Sequence, residues 1–475
     1  MLKRGVIISV LLLIACSGRV PGPATEGEPG AGTYIPKGMS QIVIYARRDS
    51  PITLPLVWEI RKISLNLADG RQVDLPGSEA SLSLSGMRGG QSLLALSEIE
   101  TGSYTGLTLF TREVYSEITG RPVSLGGSFI NIGHEFSVVG GSSKTLTLLI
   151  DLEYAGSPET AQEFMPAITV EKEEQTPTGK LIYVANEKSS NISIIDRLSK
   201  HVVYNVLVGT SPYALGADQR RRRLHIGDRE DGVLYEMDMV GNRLVKATEI
   251  DYVDEPVHIE PVGEEDMLMV VNYGSNSVYI MDSFSSRIME TISVSEEPVD
   301  AVYSSLYNIG FVLSKRWGIL SVVDFSTRPV MVDTTFRVER EPLGLAIDDT
   351  EEWLFISSSG SIDLTVFEIR RMGVERTVSV GLGAGDIAFD PSGRKLYICM
   401  MNTNEILCMD PFTGVMSFRV PLPSTPGKIM FEKDERLVYV TIPDRNAVAV
   451  IDPMSQRLKH WIETGLSPSS LAVRL

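Results

Sequence analysis

Leu437-Val-Tyr-Val-Thr441, then Ala447-Val-Ala-Val-Ile-Asp452, is a pair of short apolar runs separated by a five-residue turn. Runs of this length, rich in Val, Ile and Tyr and bounded by Pro, Asp and Asn, read as two strands of one hairpin. The same pair stands much earlier, as Leu181-Ile-Tyr-Val-Ala-Asn186 and Asn191-Ile-Ser-Ile-Ile-Asp196. Between them the acidic residue that ends the second run returns at Asp196, Asp238, Asp282, Asp324, Glu368, Asp410 and Asp452, in steps of 42, 44, 42, 44, 42 and 42. Pro212, Pro256, Pro298, Pro342, Ala384, Pro426 and Pro468 form a second column. Tyr183, His225, Met269, Phe311, Phe355, Tyr397 and Tyr439 form a third. Three columns that hold one register seven times mark a repeat architecture. Each unit of about 42 residues has room for four short strands, the content of one propeller blade. A blade alone leaves both faces uncovered, and stacking around a ring covers them. The reading is therefore all-β, with a seven-bladed β-propeller over residues 179–475. The first unit lacks the strand that follows the proline column, and the chain ends with one in excess, Ser467-Pro-Ser-Ser-Leu-Ala-Val-Arg-Leu475. That terminal strand is expected to complete the first blade.

The paired runs Leu181–Asp196 and Leu437–Asp452 resemble the YVTN-type β-propeller repeats, and the resemblance extends over residues 179–475. It implies the fold. It implies little about activity, because propellers host binding, scaffolding and several chemistries.

Ahead of the repeat, residues 36–172 show alternating runs such as Gln41-Ile-Val-Ile-Tyr45, Ile63-Ser-Leu-Asn-Leu67 and Thr145-Leu-Thr-Leu-Leu-Ile-Asp151. Alternation with period two predicts half-buried strands, and their number predicts an N-terminal β-sandwich. Gly102-Ser-Tyr-Thr-Gly-Leu-Thr-Leu109, Phe136-Ser-Val-Val139 and Phe164-Met-Pro-Ala-Ile-Thr-Val170 resemble successive motifs of an uncharacterised bacterial domain family with a prealbumin-like sandwich. Residues 173–178 read as a linker, with few contacts expected to cross it. Residues 16–35, rich in Gly, Pro and Ser, read as a tether.

The first 15 residues combine Lys3 and Arg4 with an apolar stretch from Val6 to Ala15. About ten apolar residues are too few to span a bilayer, so the stretch reads as a signal-peptide core. Leu13-Ile-Ala-Cys16 resembles the bacterial lipobox, which implies a mature chain that begins at a lipidated Cys16. The expected place is the envelope: exported, anchored in a membrane through Cys16, on the periplasmic or cell-surface side, and in the outer membrane if the host is diderm.

The chain has 61 acidic against 44 basic residues, net −17, which excludes a nucleic-acid partner, since phosphate neutralisation needs a basic face. The basic run Arg220–Arg223 falls where a turn is expected and reads as a solvated turn or an anion contact. Besides Cys16 the sequence holds Cys399 and Cys408, on neighbouring strands of one hairpin, either as a cross-strand disulfide or as two small buried side chains. Phosphate-loop, nucleophile-elbow and haem-attachment motifs do not occur. Gly381-Leu-Gly-Ala-Gly385 reads as a turn between blades.

Function is then sought at the channel mouth, where the loops into the innermost strands gather. Two residues past the proline column stand Ala214, His258, Asp300, Gly344, Asp386, Lys428 and Ser470. His258, Asp300, Asp386 and Lys428 are the candidate ligand contacts there, with Glu255, Glu297 and Arg340 from the loops and Trp317 from a hairpin turn. Converging carboxylates are the donors a cation such as Ca²⁺ takes, and they equally suit a hydrated mouth. No catalytic residue, metal ligand or cofactor is assigned. The expected function is a non-catalytic binding or scaffold module for a protein, peptide or glycan. The alternative is a propeller hydrolase of the lactonase kind.

Overall fold

A computed structural model of the chain describes residues 40–475, apart from 50–53, 86–89, 154, 156–162, 173–178, 251–253 and 264–265. The signal peptide, Cys16, the tether and the linker lie outside the described residues. The described chain is all-β, and no helix in it is long and apolar enough to cross a membrane.

Alternation in the N-terminal part builds two sheets. One runs in the order Gln91–Glu98, Gln41–Arg48, Ser143–Asp151 and Ala167–Val170. The other places Gln72–Asp74, Leu56–Leu67, Gly102–Ser116 and Phe129–Val138 side by side, with Ala80–Ser83 also on Leu56–Leu67. Their inner faces share one core, in which Ile42, Ile44, Trp58, Leu107 and Leu148 are wholly buried. Trp58 donates its indole N–H to Thr111 Oγ1 at 3.1 Å, so the polar end of this large side chain is satisfied inside the core.

Gln41–Arg48 departs from the half-buried pattern. Ile42 and Ile44 face the partner sheet, and Val43 and Tyr45 on the opposite face are equally buried, against Ile182, Val184, Tyr439 and Val448. Polar contacts accompany this packing. The Gln91 amide accepts from Val202 N–H (2.8 Å) and donates to Val202 O (3.1 Å), and Gln41 donates to Ser189 O (2.8 Å) and accepts from Asn191 (2.7 Å). The expectation of few contacts across 173–178 therefore fails. Ile-Val-Ile at 42–44 is a continuous apolar run, and such a run covers both faces of a strand.

From residue 181 the described residues form seven antiparallel sheets of four strands. Six take their strands in sequence order, and the first consists of His201–Leu207, Asn191–Asp196, Leu181–Asn186 and the terminal strand Pro468–Val473. Leu471 stands opposite Val184 and Val473 opposite Ile182. Each innermost strand packs on the next, and Pro468–Val473 packs on Pro212–Asp218, so the sheets ring a central axis. The fold is a β-propeller.

The repeated columns have structural causes. The aromatic column fills the space between sheets, with Tyr183, Phe311, Phe355, Tyr397 and Tyr439 buried. The acidic column caps turns: Asp196, Asp324 and Asp452 each accept the backbone N–H two residues on, at 2.7, 2.8 and 2.9 Å. Arg220–Arg223 stands at the turn between Pro212–Asp218 and Arg223–Asp228, where Asp218 accepts the Arg221 N–H (3.1 Å), and Arg221 and Arg223 are paired to Asp266 (3.1 Å) and Asp238 (2.6 Å). Cys399 and Cys408 are buried and free, because the register puts Cys399 opposite Ile406 and Cys408 opposite Tyr397.

Candidate functional site

The proline column opens the innermost strand in six of the seven sheets, the seventh beginning at Ile429 past Pro426, and a register shift follows the column at Pro212/Ala214, Pro256/His258, Pro298/Asp300 and Pro342/Gly344. Such a bulge sets two residues against one on the partner strand and re-aims their side chains. As a result two successive positions of each strand reach the axis. The residue directly after the proline column lines the mouth of the channel: Tyr213, Val257, Val299, Leu343, Gly385, Gly427 and Ser469. The residue after that builds a charged belt beneath it.

The mouth is a cavity of 340 Å³ with mostly apolar walls, completed by Tyr273, Met401, Pro426 and Pro443, and Asp386 and Lys428 form its floor. In the belt His258 Nδ1 lies 2.8 Å from Asp300 Oδ1, and Lys428 Nζ lies 3.2 Å from Asp386 Oδ1 and 3.7 Å from Asp300 Oδ1. Asp300 Oδ2 accepts the Leu345 N–H (2.9 Å) and Asp386 Oδ2 accepts the Ile429 N–H (2.8 Å), each from the adjacent innermost strand. Gly344 leaves room for this approach, since a Cβ there would meet Asp386 Cα at 3.0 Å.

Burial opposes charge on all four groups, and their pairing decides the result. Burial pushes His258 down, and the charge and hydrogen bond of Asp300 outweigh it and raise the imidazole to about 9. For Asp300 burial acts upward, and Lys428 and His258 outweigh it and hold the carboxyl at about 2. Lys428 is lowered by burial but raised well above the usual ammonium range by Asp300 and Asp386. Asp386 stays above the usual carboxylate range, because burial and the neighbouring Asp300 exceed the pull of Lys428. At neutral pH His258, Asp300 and Lys428 thus carry charges of both signs that offset one another, and Asp386 stands against Lys428. A divalent cation there would face an imidazolium and an ammonium. Among the described residues no group of three or more His, Cys, Asp or Glu side chains is placed to share a metal ion.

Of the residues singled out in the sequence, His258, Asp300, Asp386 and Lys428 come together. Glu255, Glu297, Arg340 and Trp317 do not join them and stand on the rim. Glu255 meets Arg229 at 3.3 Å, Glu297 meets Arg316 at 3.2 Å, the Arg340 guanidinium reaches only Gly360 O at 3.5 Å, and Trp317 is 58% exposed beside Arg316. Sequence reasoning missed Tyr213, whose ring lies 4.4 Å from the Arg229 guanidinium, and Glu260, whose carboxylate is 3.7 Å from His258 Nε2. Tyr213 follows a proline of the column, and the bulge repeated there is the signal that marks its position as axial.

No protein-family model and no curated protein sequence matches the chain. Among solved structures, a chain of Kuenenia stuttgartiensis hydrazine synthase is similar over 58% of this chain and 93% of its own, at 15% identity and a TM-score of 0.52. A functionally unknown protein from Desulfotomaculum acetoxidans is similar over 62% of this chain and 99% of its own, at 10% identity and a TM-score of 0.56. The dihydro-heme d1 dehydrogenase NirN aligns over 61% of this chain and 65% of its own, at 11% identity and a TM-score of 0.49. For the first two, at these identities, the likeness is one of fold.

Proposed function

We propose that this chain is an exported, lipid-anchored protein of the cell envelope, a prealbumin-like β-sandwich joined to a seven-bladed YVTN-type propeller that binds a protein, peptide or glycan at its channel mouth without transforming it. The observation that carries the reading is the mouth itself: 340 Å³ of apolar-walled space over a floor whose charges are spent on each other. A binding pocket combines apolar walls with a few oriented polar groups. A hydrolase needs an acid or base free to exchange protons near neutral pH, and His258, held at about 9 by Asp300, is not poised for that. The anchor rests on the Leu13–Cys16 motif, and the envelope location rests on the anchor.

Peptide and glycan arrays probed with the purified protein and with a Leu343→Glu variant test the binding. Ligands retained by the parent and lost by the variant are the expected result. Hydrolysis of lactone or ester substrates that disappears in Asp386→Asn would overturn the non-catalytic reading. Labelled fatty acid should enter the parent chain and not Cys16→Ala, and equal labelling of both would remove the anchor.

A further inference from the structure

The rim of the mouth is a single hydrogen-bonded rail. Val338 donates to Gly318 O (2.8 Å), Ser359 to Glu341 O (2.9 Å), Gly381 to Ile362 O (3.0 Å) and Met401 to Gly383 O (2.8 Å), so the loops from the fourth to the sixth sheet hold one another in order. Along this rail stand three large apolar side chains with no cover: Trp317, Ile362 and Leu382, exposed by 58%, 55% and 53%. The rail ends at Met401, which lines the cavity and donates to Gly383 O beside Leu382, so Leu382 stands next to the mouth, while the polar loop 338–341 lies between Trp317 and Ile362. Among the described residues, the loops that reach this face from the second to the fifth sheet carry seven acidic side chains at the surface, among them Glu230, Glu296 and Glu341, against four basic ones. Arg316 is held between Glu296 and Glu297, and Arg229 between Glu255 and Glu187 of the first sheet.

We propose that the rail and the mouth form one docking track for a cationic polypeptide segment, which lays apolar side chains over Trp317 and Leu382, inserts one into the cavity, and sets lysines or arginines against the acidic loops. The proposal rests on the binding reading above and names the chemistry of the partner. Trp317, exposed with Arg316 over its ring, is the kind of side chain that dominates binding hot spots. A sugar stacked on Trp317 would leave Ile362 and Leu382 unmatched. The acidic excess, on a chain of net charge −17, attracts a basic partner and repels an acidic one.

The test uses two fluorescein-labelled peptides, Lys-Lys-Leu-Phe-Lys-Lys and Glu-Glu-Leu-Phe-Glu-Glu, titrated by anisotropy against the purified protein. The cationic peptide should bind about tenfold tighter or better, and raising salt from about 0.05 M to about 0.5 M should weaken it several-fold. Trp317→Ala and Leu343→Glu should each weaken it about tenfold or more. If both peptides bind equally and both variants weaken them, the charge assignment is overturned and the mouth remains the binding site. If the cationic peptide binds regardless of Trp317 and Leu343, the track is overturned together with the mouth. Binding of neither peptide overturns the cationic partner, while ligands found on the arrays would still stand for the mouth.

Discussion

His258 is positively charged in the folded protein because Asp300 stands 2.8 Å from it, and this makes its contribution to stability a function of pH. The imidazole is raised from 6.5 to about 9 on folding, so its stabilisation is complete below the unfolded value and fades as pH rises through 9. The pair, counted once, contributes about 3 kcal/mol, from the worth of a unit of pKa. Asp300, Lys428 and Glu260 are the charged groups that face the ring. The parent should thus exceed His258→Gln in stability at pH 7, with the gap closing towards pH 10. Urea melts of both proteins across that range measure the gap, and a constant difference would refute the ion pair. Arg197 is a second buried charge. It is wholly buried, between Glu432, also wholly buried, and Asp434 at 2.9 Å, and it joins the first sheet to the seventh. Removing one partner leaves the other charge buried alone, which costs about 3–5 kcal/mol. Arg197→Met should lose about that much, and the double variant Arg197→Met/Glu432→Gln should recover part of it. Chemical denaturation decides, and a loss below about 1 kcal/mol in the single variant contradicts the assigned role.

Among the elements, the terminal strand Pro468–Val473 is the one whose loss opens the ring. It supplies the innermost ladder of the first sheet, with Leu471 and Val473 opposite Val184 and Ile182, both wholly buried. Leu471 and Val473 are half-buried and contribute on the order of 1 kcal/mol each, and the ladder hydrogen bonds and newly bared apolar faces add to that. Against a typical total of about 5–15 kcal/mol, deletion of 469–475 should leave the protein largely unfolded or aggregated, whereas an equal deletion at 20–26 should change its melting little. Thermal melts compare the two, and a C-terminal truncation that melts within a few degrees of the full chain refutes the role given to the strand. The repeated strands were legible in the sequence because each unit repeats its own turn chemistry: an acid that caps, an aromatic that fills, a proline that starts a strand. The belt was legible for the same reason, since Asp300 and Asp386 keep one offset from the proline column. The mouth was not. Val257, Val299 and Leu343 look like core residues in sequence, and only the bulge beside each turns them towards the axis. Loop position alone points Trp317 and Arg340 to the mouth, but Trp317 is exposed on the rim and Arg340 turns to Gly360 O.

At the scale of the whole molecule, the N-terminal sheets and the propeller share a core. Gln41–Arg48 is apolar on both faces, and its second face, Val43 and Tyr45, is wholly buried among Ile182, Val184, Tyr439 and Val448 of the first and seventh sheets. Leu93 N–H is accepted by Glu463 at 2.7 Å, and burial raises the Glu463 carboxyl above its usual range. The N-terminal sheets therefore cover the outside of the same seam that the terminal strand and Arg197 close from within. A fragment of residues 179–475 would expose that seam, lose the burial of two large side chains worth about 1.5–3 kcal/mol each, and leave the Val202 backbone without its Gln91 partner. The separated propeller should melt well below a chain of residues 36–475, or be recovered only as aggregate. Tyr45→Ser in the longer chain supplies a milder form of the same loss, and it should lower the melting temperature without changing the β-rich circular dichroism of the folded state. Scanning calorimetry gives a further readout: residues 36–475 should unfold in one transition, with the two parts coupled through the shared core. Two transitions, with the upper one matching an isolated fragment 179–475, would show that the parts fold independently and that the burial of Val43 and Tyr45 contributes little.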